Sequence, residues 1–362
     1  MRSLYVHIPF CKNICSYCDF CKVYYNQQWA DDYLKALKRE LHAKAIPSSL
    51  YTIYIGGGTP TVLSLEQLQQ LMNMLKPYTH NIQEYTIEVN PETMNEEKLR
   101  TLYNGGITRL SIGVQTFQEH LLAFLHRQHT NRDVFDVITL AKKIGFQNIS
   151  IDLMYGIPHQ TKEDIQNDLN LVKTLDIQHV SYYSLILEEH TLLSIQNYQP
   201  LDDQIEADYY EMIEAYLKKM GFEKYEVSNF AKKKYQSLHN CVYWEYGNYE
   251  GVGLGAHSIV EGQRFENTRS LTQYLKGNYL LKKEKIDQRD QMFEMVMMGL
   301  RLVRGVSSEH FKQRFQEDIF QKYEKPIQKY MILDMLVYEN GFLKTTKKGM
   351  TLLHEILVDF LE

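Results

Sequence analysis

Short apolar runs alternate with amphipathic stretches along the first 220 residues. The runs at 3–8, 51–55, 84–89, 108–113, 149–153 and 180–185 have the length of buried strands. The stretches at 28–45, 64–76, 95–104, 118–125, 131–144 and 162–175 repeat apolar residues near every 3.6 positions, as Leu65, Leu68, Leu71, Met72 and Leu75 do. Ser64-Leu65-Glu66 and Thr161 followed by Glu163 and Asp164 read as helix starts, and Gly145 after Ile144 reads as a stop. Strict alternation predicts a parallel sheet with right-handed crossovers. Six units in a row predict a partial (β/α)6 barrel, in which chemistry collects just after the strands.

Beyond residue 220 the texture changes. A helix at 203–219 leads to a strand predicted at 222–227, then to a glycine-rich aromatic stretch at 239–258. Residues 221–285 therefore read as a connecting region between a barrel over 1–220 and a small domain over 286–362. That last part has short helices, a β-wing around Leu336–Tyr338 and Gly341–Leu343, and a closing helix, the pattern of a winged-helix-like α+β domain. Such a shape often binds DNA, but the net charge of -5 gives no electrostatic case for nucleic acid. Lys232-Lys233-Lys234 reads as a solvated loop. No apolar run approaches the ~18 residues that span a bilayer. The chain starts on a strand, without the apolar core of a signal peptide, so a cytoplasmic protein is expected and peripheral membrane contact is left open.

Four of the five cysteines crowd into residues 11 to 21. A disulfide framework would spread them along the chain. Cys11-x3-Cys15-x2-Cys18 directly follows the first predicted strand, and three thiolates at this spacing can hold three corners of a [4Fe-4S] cube. The fourth iron then needs another ligand, which in radical S-adenosylmethionine (SAM) chemistry is SAM itself. A structural zinc site would want two Cys-x2-Cys pairs or a pair with histidines, and here Cys15–Cys18 is the clean pair, with another formed by Cys18 and Cys21.

His7-Ile8-Pro9-Phe10-Cys11 through Cys18-Asp19-Phe20 resembles the HemW heme chaperone family, a radical SAM branch close to oxygen-independent coproporphyrinogen III dehydrogenase (HemN). The resemblance covers essentially the whole chain. It implies that Gly57, Gly58 and Thr59 meet the methionine end of SAM and that Glu88 and Tyr5 also contact it. Gln115, Arg127 and Asp152 match residues lining a second SAM position in the HemN relatives. HemN-type proteins carry a further cysteine where this chain has Phe20, a departure that favours the chaperone branch. Cys21 then reads as an incidental thiol or as a temporary fourth cluster ligand.

His239-Asn240-Cys241-Val242-Tyr243-Trp244 resembles the His-Asn-x-x-Tyr-Trp signature of the same family. A lone histidine among aromatics is more often structural, but the resemblance makes His239 the leading heme-ligand candidate, with Cys241 and His257 as alternatives. Gly251, Gly253 and Gly255 read as a tight backbone passage beside SAM, without the βαβ context of a dinucleotide fingerprint. The function expected is heme binding and delivery to apo-hemoproteins such as respiratory cytochromes, with a homodimer left open. The alternative is oxidative decarboxylation of coproporphyrinogen III by a 5'-deoxyadenosyl radical. Only ten residues precede Cys11, fewer than in HemN-like enzymes, which favours the carrier.

Overall fold

The computed structural model describes residues 2–44 and 46–361; Met1, Glu362 and Ala45, the last residue of the helix predicted over 28–45, lie outside them. The apolar runs become six parallel strands, β1 (Ser3–Ile8), β2 (Thr52–Gly57), β3 (Glu84–Val89), β4 (Arg109–Gln115), β5 (Asn148–Tyr155) and β6 (His179–Ser184). They lie side by side in chain order, with Leu4 opposite Ile53, Ile53 opposite Tyr85, Ile87 opposite Leu110 and Ile151 opposite Val180. The crossovers are α1 (Gln27–Ala43), α2 (Leu65–Leu75), α3 (Glu96–Asn104), the pair α4 (Glu119–Phe124) and α5 (Asn131–Ile144), and α6 (Lys162–Val172). Reciprocal capping boxes, Ser64 with Gln67, Thr130 with Asp133 and Thr161 with Asp164, start α2, α5 and α6. This is the predicted partial (β/α)6 barrel.

Alternation along the strands divides their two faces. Leu4, Val6, Ile53, Ile55, Tyr85, Ile87, Leu110, Ile149 and Val180 pack with Leu34, Leu37, Leu68 and Leu71 of the helices in one core. The intervening positions are polar and buried: Thr52, Glu84, Arg109, Ser150 and His179 near the strand starts, Ser111 and Ser181 further along. Arg109 is 1 % exposed, and its Nη2 lies 3.3 Å from His179 Nδ1.

Residues 221–285 depart from the sequence reading. Helix α7 (Asp203–Lys219) leads into β7 (Glu223–Lys224), all that forms of the strand predicted at 222–227, and β8 (Asn229–Ala231) lies between β7 and β6. The glycine-rich stretch holds α8 (Leu238–Trp244), β9 (Tyr249–Val252) and β10 (His257–Val260). β9 joins β1 in parallel, and β10, β11 (Gln263–Asn267) and β12 (Leu280–Lys285) continue antiparallel to complete a twelve-stranded sheet. Glycines at 251, 253 and 255 dilute the apolar alternation that marks a strand, so pairing with β1 supplies what local pattern does not. Glu84 on β3 accepts hydrogen bonds from the N–H groups of Leu238 and His239 at 2.9 and 3.0 Å, placing a carboxylate on the first turn of α8.

Helix α9 (Leu271–Leu275) follows β11, and α10 (Gln288–Gly299) opens the C-terminal part. There a three-stranded wing, β13 (Val306–Ser307), β14 (Leu336–Glu339) and β15 (Phe342–Thr345), packs with short helices around Phe311, Ile327, Leu343 and Ile356. Tyr246, just after α8, belongs to this second core. Among the described residues no helix is long and apolar enough to cross a membrane.

The junction of α1, β1 and β9 is tightly specified. Buried Glu40 accepts from Gly253 N, Asn267 Nδ2 and Tyr274 OH at 2.8, 2.6 and 2.6 Å, and Tyr33 OH donates to the His7 carbonyl at 2.7 Å. Gly253 has φ +103, and a Cβ there would sit 2.5 Å from His7 O and 2.6 Å from Tyr33 OH. Gly253→Ala should therefore lower stability by about 3 kcal/mol in urea unfolding. An unchanged midpoint would show that the junction yields without cost.

Candidate functional site

Cys11, Cys15 and Cys18 line one cavity of about 320 Å³ above the strand ends. Their loop is pinned at Ser16, whose N–H and hydroxyl donate to the carbonyls of Leu125 and Phe124 at the end of α4. Burial pushes the Cys11 thiol up to about 12 and raises Cys18, so both would need a cation's charge to ionise near neutrality. Arg127 brings that sign to the loop: Nη1 donates to Cys15 Sγ at 3.7 Å and Nη2 to Gly113 O and Asn90 Oδ1 at 2.6 and 3.1 Å.

Gly57, Gly58, Thr59, Glu88, Gln115, Arg127 and Asp152 all line this same cavity. A Cβ at Gly58 would meet Phe10 O at 2.8 Å and Cys11 Sγ at 2.9 Å, and one at Gly57 would strike the His7 ring at 2.5 Å. Glu88 accepts from Tyr54 OH and from Gly57 N, each at 2.9 Å. Asp152 accepts from Ser111 Oγ at 3.1 Å, and burial raises both carboxyls, Glu88 to about 7. Gln115 has φ +68 beside a register shift in the β4–β5 pairing, a local twist that re-aims a side chain at the strand end.

A second cavity, of about 520 Å³, lies beyond Phe20, Tyr54 and Glu88, which line both. Tyr5, Tyr243, Trp244 and Tyr249 give it an aromatic lining, with His7, His239, His257, Cys21 and Arg269 around it. Tyr5 thus stands on this side, where Glu88 is the other lining residue matched to SAM. Its hydroxyl lies 2.9 Å from His7 Nδ1, whose other ring nitrogen meets the Cys21 carbonyl at 2.7 Å.

The heme-ligand candidates separate. His239 and Cys241 are two apart on α8, on different faces, and Cys241 lines another cavity with Tyr51 and Arg314. His239 is fully buried, with Nδ1 2.7 Å from Thr52 Oγ1 and Nε2 2.7 Å from Tyr243 OH; burial pushes its pKa down to about 3, so it is neutral. His257 is exposed at the rim. Cys21 lines the aromatic cavity and not the one that holds the other three thiols. Gly255 lines the aromatic cavity too, so the glycine passage is tight as expected but does not border the cysteine side.

Several residues here are missed by sequence reasoning. Asn90 ties Arg127 to Thr59, donating to Thr59 Oγ1 at 3.3 Å, and Tyr54 and Ser111 hold the two carboxylates. Asn90 follows β3 directly, so the rule that chemistry follows strands could have flagged it. Tyr54 and Ser111 sit on inner strand faces, a placement legible only once the apolar face is known.

Residues 5–172 match the Radical SAM superfamily and residues 286–352 the HemN C-terminal domain. The chain is 40% identical to the heme chaperone HemW of Bacillus subtilis over 87% of each chain. It is 37% identical to that of Lactococcus lactis over 99% of this chain and 97% of the relative, and 34% identical to that of Escherichia coli over 85% of each. Among solved structures, coproporphyrinogen III oxidase (HemN) from Escherichia coli, a radical SAM enzyme, superposes with a TM-score of 0.84 over 99% of this chain and 89% of that one, at 25% identity.

Glu88 gives a test of this electrostatic picture. Its folded pKa of about 7 stands above the ordinary 4.5, so its contribution to stability is complete below 4.5 and is lost as pH rises through 7. Glu88→Gln does not ionise. In urea unfolding of the metal-free protein, wild type should lose on the order of 2 kcal/mol relative to Glu88→Gln between about pH 5 and about pH 8. Parallel pH profiles would mean that Glu88 is solvated.

Proposed function

The chain belongs to the HemW family of heme chaperones, and from that premise we propose that it holds heme in the aromatic cavity, with a [4Fe-4S] cluster and SAM in the neighbouring cysteine cavity. The observation that carries this reading is the single wall of Phe20, Tyr54 and Glu88 between a three-thiol cavity and an aromatic, imidazole-lined one.

The residues present fit both groups. Cys11, Cys15 and Cys18 face one space, and the bare Cα of Gly58 leaves room beside Cys11 Sγ. Arg127 Nε is buried without a partner among the described residues, on a side chain that reaches into that space. Cys11, Cys15 and Cys18 would ligate the cluster, while Gly57, Gly58, Thr59, Glu88, Gln115, Arg127 and Asp152 would hold SAM. When bound, such a cluster supplies one electron at its open iron. Tyr5, matched to a SAM-contacting tyrosine, lines the aromatic cavity beside Glu88 and would orient His7 there.

Aromatic walls can pack on a porphyrin face, and a neutral imidazole can take the iron. His239 stands in that wall and would first give up the Tyr243 bond, a loss on the order of 1 kcal/mol. His257 at the rim is the alternative. Cys241 lines another cavity, and Cys21 lines the aromatic one and not the one with Cys11, Cys15 and Cys18, so we propose neither as a cluster ligand. Recipients would be apo-hemoproteins such as respiratory cytochromes, met from the cytoplasm at the membrane surface. The cluster and SAM would gate transfer or support a homodimer.

The test is an absorbance titration of anaerobically reconstituted protein with heme, paired with a coproporphyrinogen III turnover assay containing SAM and reductant. Stoichiometric heme binding without turnover is expected. Turnover without specific heme binding would make the protein a dehydrogenase. Cys11→Ala should abolish the cluster absorbance, while Cys21→Ala and Cys241→Ala keep it. His239→Ala and His257→Ala, compared by the heme Soret band, identify the ligand: the loss of binding belongs to one of them.

A further inference from the structure

We propose that Arg269 is the carboxylate-recognising residue of the aromatic cavity, gripping a propionate of the bound macrocycle at the rim and setting preference for a porphyrin that keeps its free acids. This rests on the assignment of heme to that cavity. Among the described residues lining it, Arg269 is the one arginine or lysine. The two buried histidines there do not supply a competing charge: burial pushes His7 down to about 4 and His239 to about 3.

The backbone fixes where the guanidinium stands. Asn267 N donates to Ala256 O and Gly255 N to Thr268 O, both at 2.9 Å, and Thr268 N donates to Tyr279 O at 2.7 Å. These bonds staple the turn that carries Arg269, between β11 and α9, onto the segment that carries His257. Cys21 Sγ reaches the Arg269 carbonyl at 4.0 Å. Burial lowers the His7 pKa and raises that of Cys21, and the Arg269 charge adds to the first shift and opposes the second, so it faces the cavity side that both line. Its side chain makes one hydrogen bond among the described residues, a long one from Nη2 to the Asp19 carbonyl at 3.4 Å. The rest of its planar donor fork is uncommitted, in the geometry that meets a carboxylate in two parallel bonds.

Aromatic walls alone do not distinguish porphyrins by their charged edge. A flat apolar macrocycle gains from Tyr5, Tyr243 and Trp244 whether its acids are free or esterified. Selection of the free acid needs a cation held at the cavity's edge, and Arg269, which lines the cavity while standing exposed at its rim, is the group so placed.

The experiment titrates iron protoporphyrin IX and its dimethyl ester into wild type, Arg269→Gln and Arg269→Lys at low ionic strength. Wild type should bind the diacid roughly tenfold tighter than the diester, the size of one charge-assisted hydrogen-bonded pair. Arg269→Gln should bind the two alike, chiefly by losing affinity for the diacid. Arg269→Lys should keep part of the preference, which added salt erodes. A full preference retained by Arg269→Gln, or equal binding of both ligands by wild type, overturns the role of Arg269 while leaving heme binding intact. Failure of wild type to bind either ligand removes the heme assignment and this proposal with it. Unchanged diester affinity in Arg269→Gln certifies that the variant cavity is folded.

Discussion

Three consecutive residues without a Cβ, Gly56, Gly57 and Gly58, let the ends of β1, β2 and β3 meet at distances that no other residue type allows. A side chain at Gly56 would meet the Glu88 carboxylate at 2.8 Å, one at Gly57 the His7 ring, and one at Gly58 the turn that carries Cys11. The Gly57 N–H can therefore donate directly to Glu88, and Gly58 N reaches the Ile8 carbonyl at 2.9 Å. The cysteine loop, the carboxylate wall and the histidine side of the aromatic cavity all hang from this one close approach. A glycine triplet on a less crowded turn would carry no such consequence.

The second organising feature is a polar interior inside an apolar shell. The strands are apolar on the helix side and carry Glu84, Arg109, Ser150 and His179 on the other, all buried. Burying Arg109 is costly unless opposite charge is near, and Glu84 and Asp152 supply it. Glu84 at the same time receives the first turn of α8. The helix that bears His239 and Tyr243 is thus seated by the barrel's own buried charges, and its aromatic side chains reach the cavity from there.

Because Phe20, Tyr54 and Glu88 line both cavities, their occupants would share a wall. Glu88 bonds Tyr54 on one oxygen and Gly57 on the other, so a group that draws Glu88 toward the cysteine side perturbs Tyr54, which stacks near His239 with ring centroids 5.2 Å apart. That path is short, built from two hydrogen bonds and one ring contact. It gives a physical route by which the state of one cavity can be felt in the other.

The barrel was legible in the sequence because each strand and helix declares itself locally: apolar runs bounded by turns, 3.6-residue repeats, and caps such as Thr161 with Asp164. The cysteine loop was legible for the same reason, since Cys11, Cys15 and Cys18 lie within eight residues of chain. Gly57, Gly58, Thr59, Glu88 and Gln115 lie at or just past strand ends, which the parallel fold gathers at one rim; Asp152 inside β5 and Arg127 after α4 join them in the same cavity. What local pattern does not contain is which of two cavities a side chain faces. Cys21 is three residues from Cys18 and turns the other way; Cys241 is two from His239 and leaves it by the geometry of a helix. The strands at 249–285 are equally silent: β9 carries a glycine and β12 is exposed along its whole length, so they become strands through backbone pairing with β1 and its neighbours, not through their own side chains. Spacing along the chain determined the fold and the chemistry available. Long-range pairing decided which groups share a cavity, because hydrogen bonds such as Glu84 to α8 and Tyr33 to Leu254 join residues some 150 to 220 positions apart.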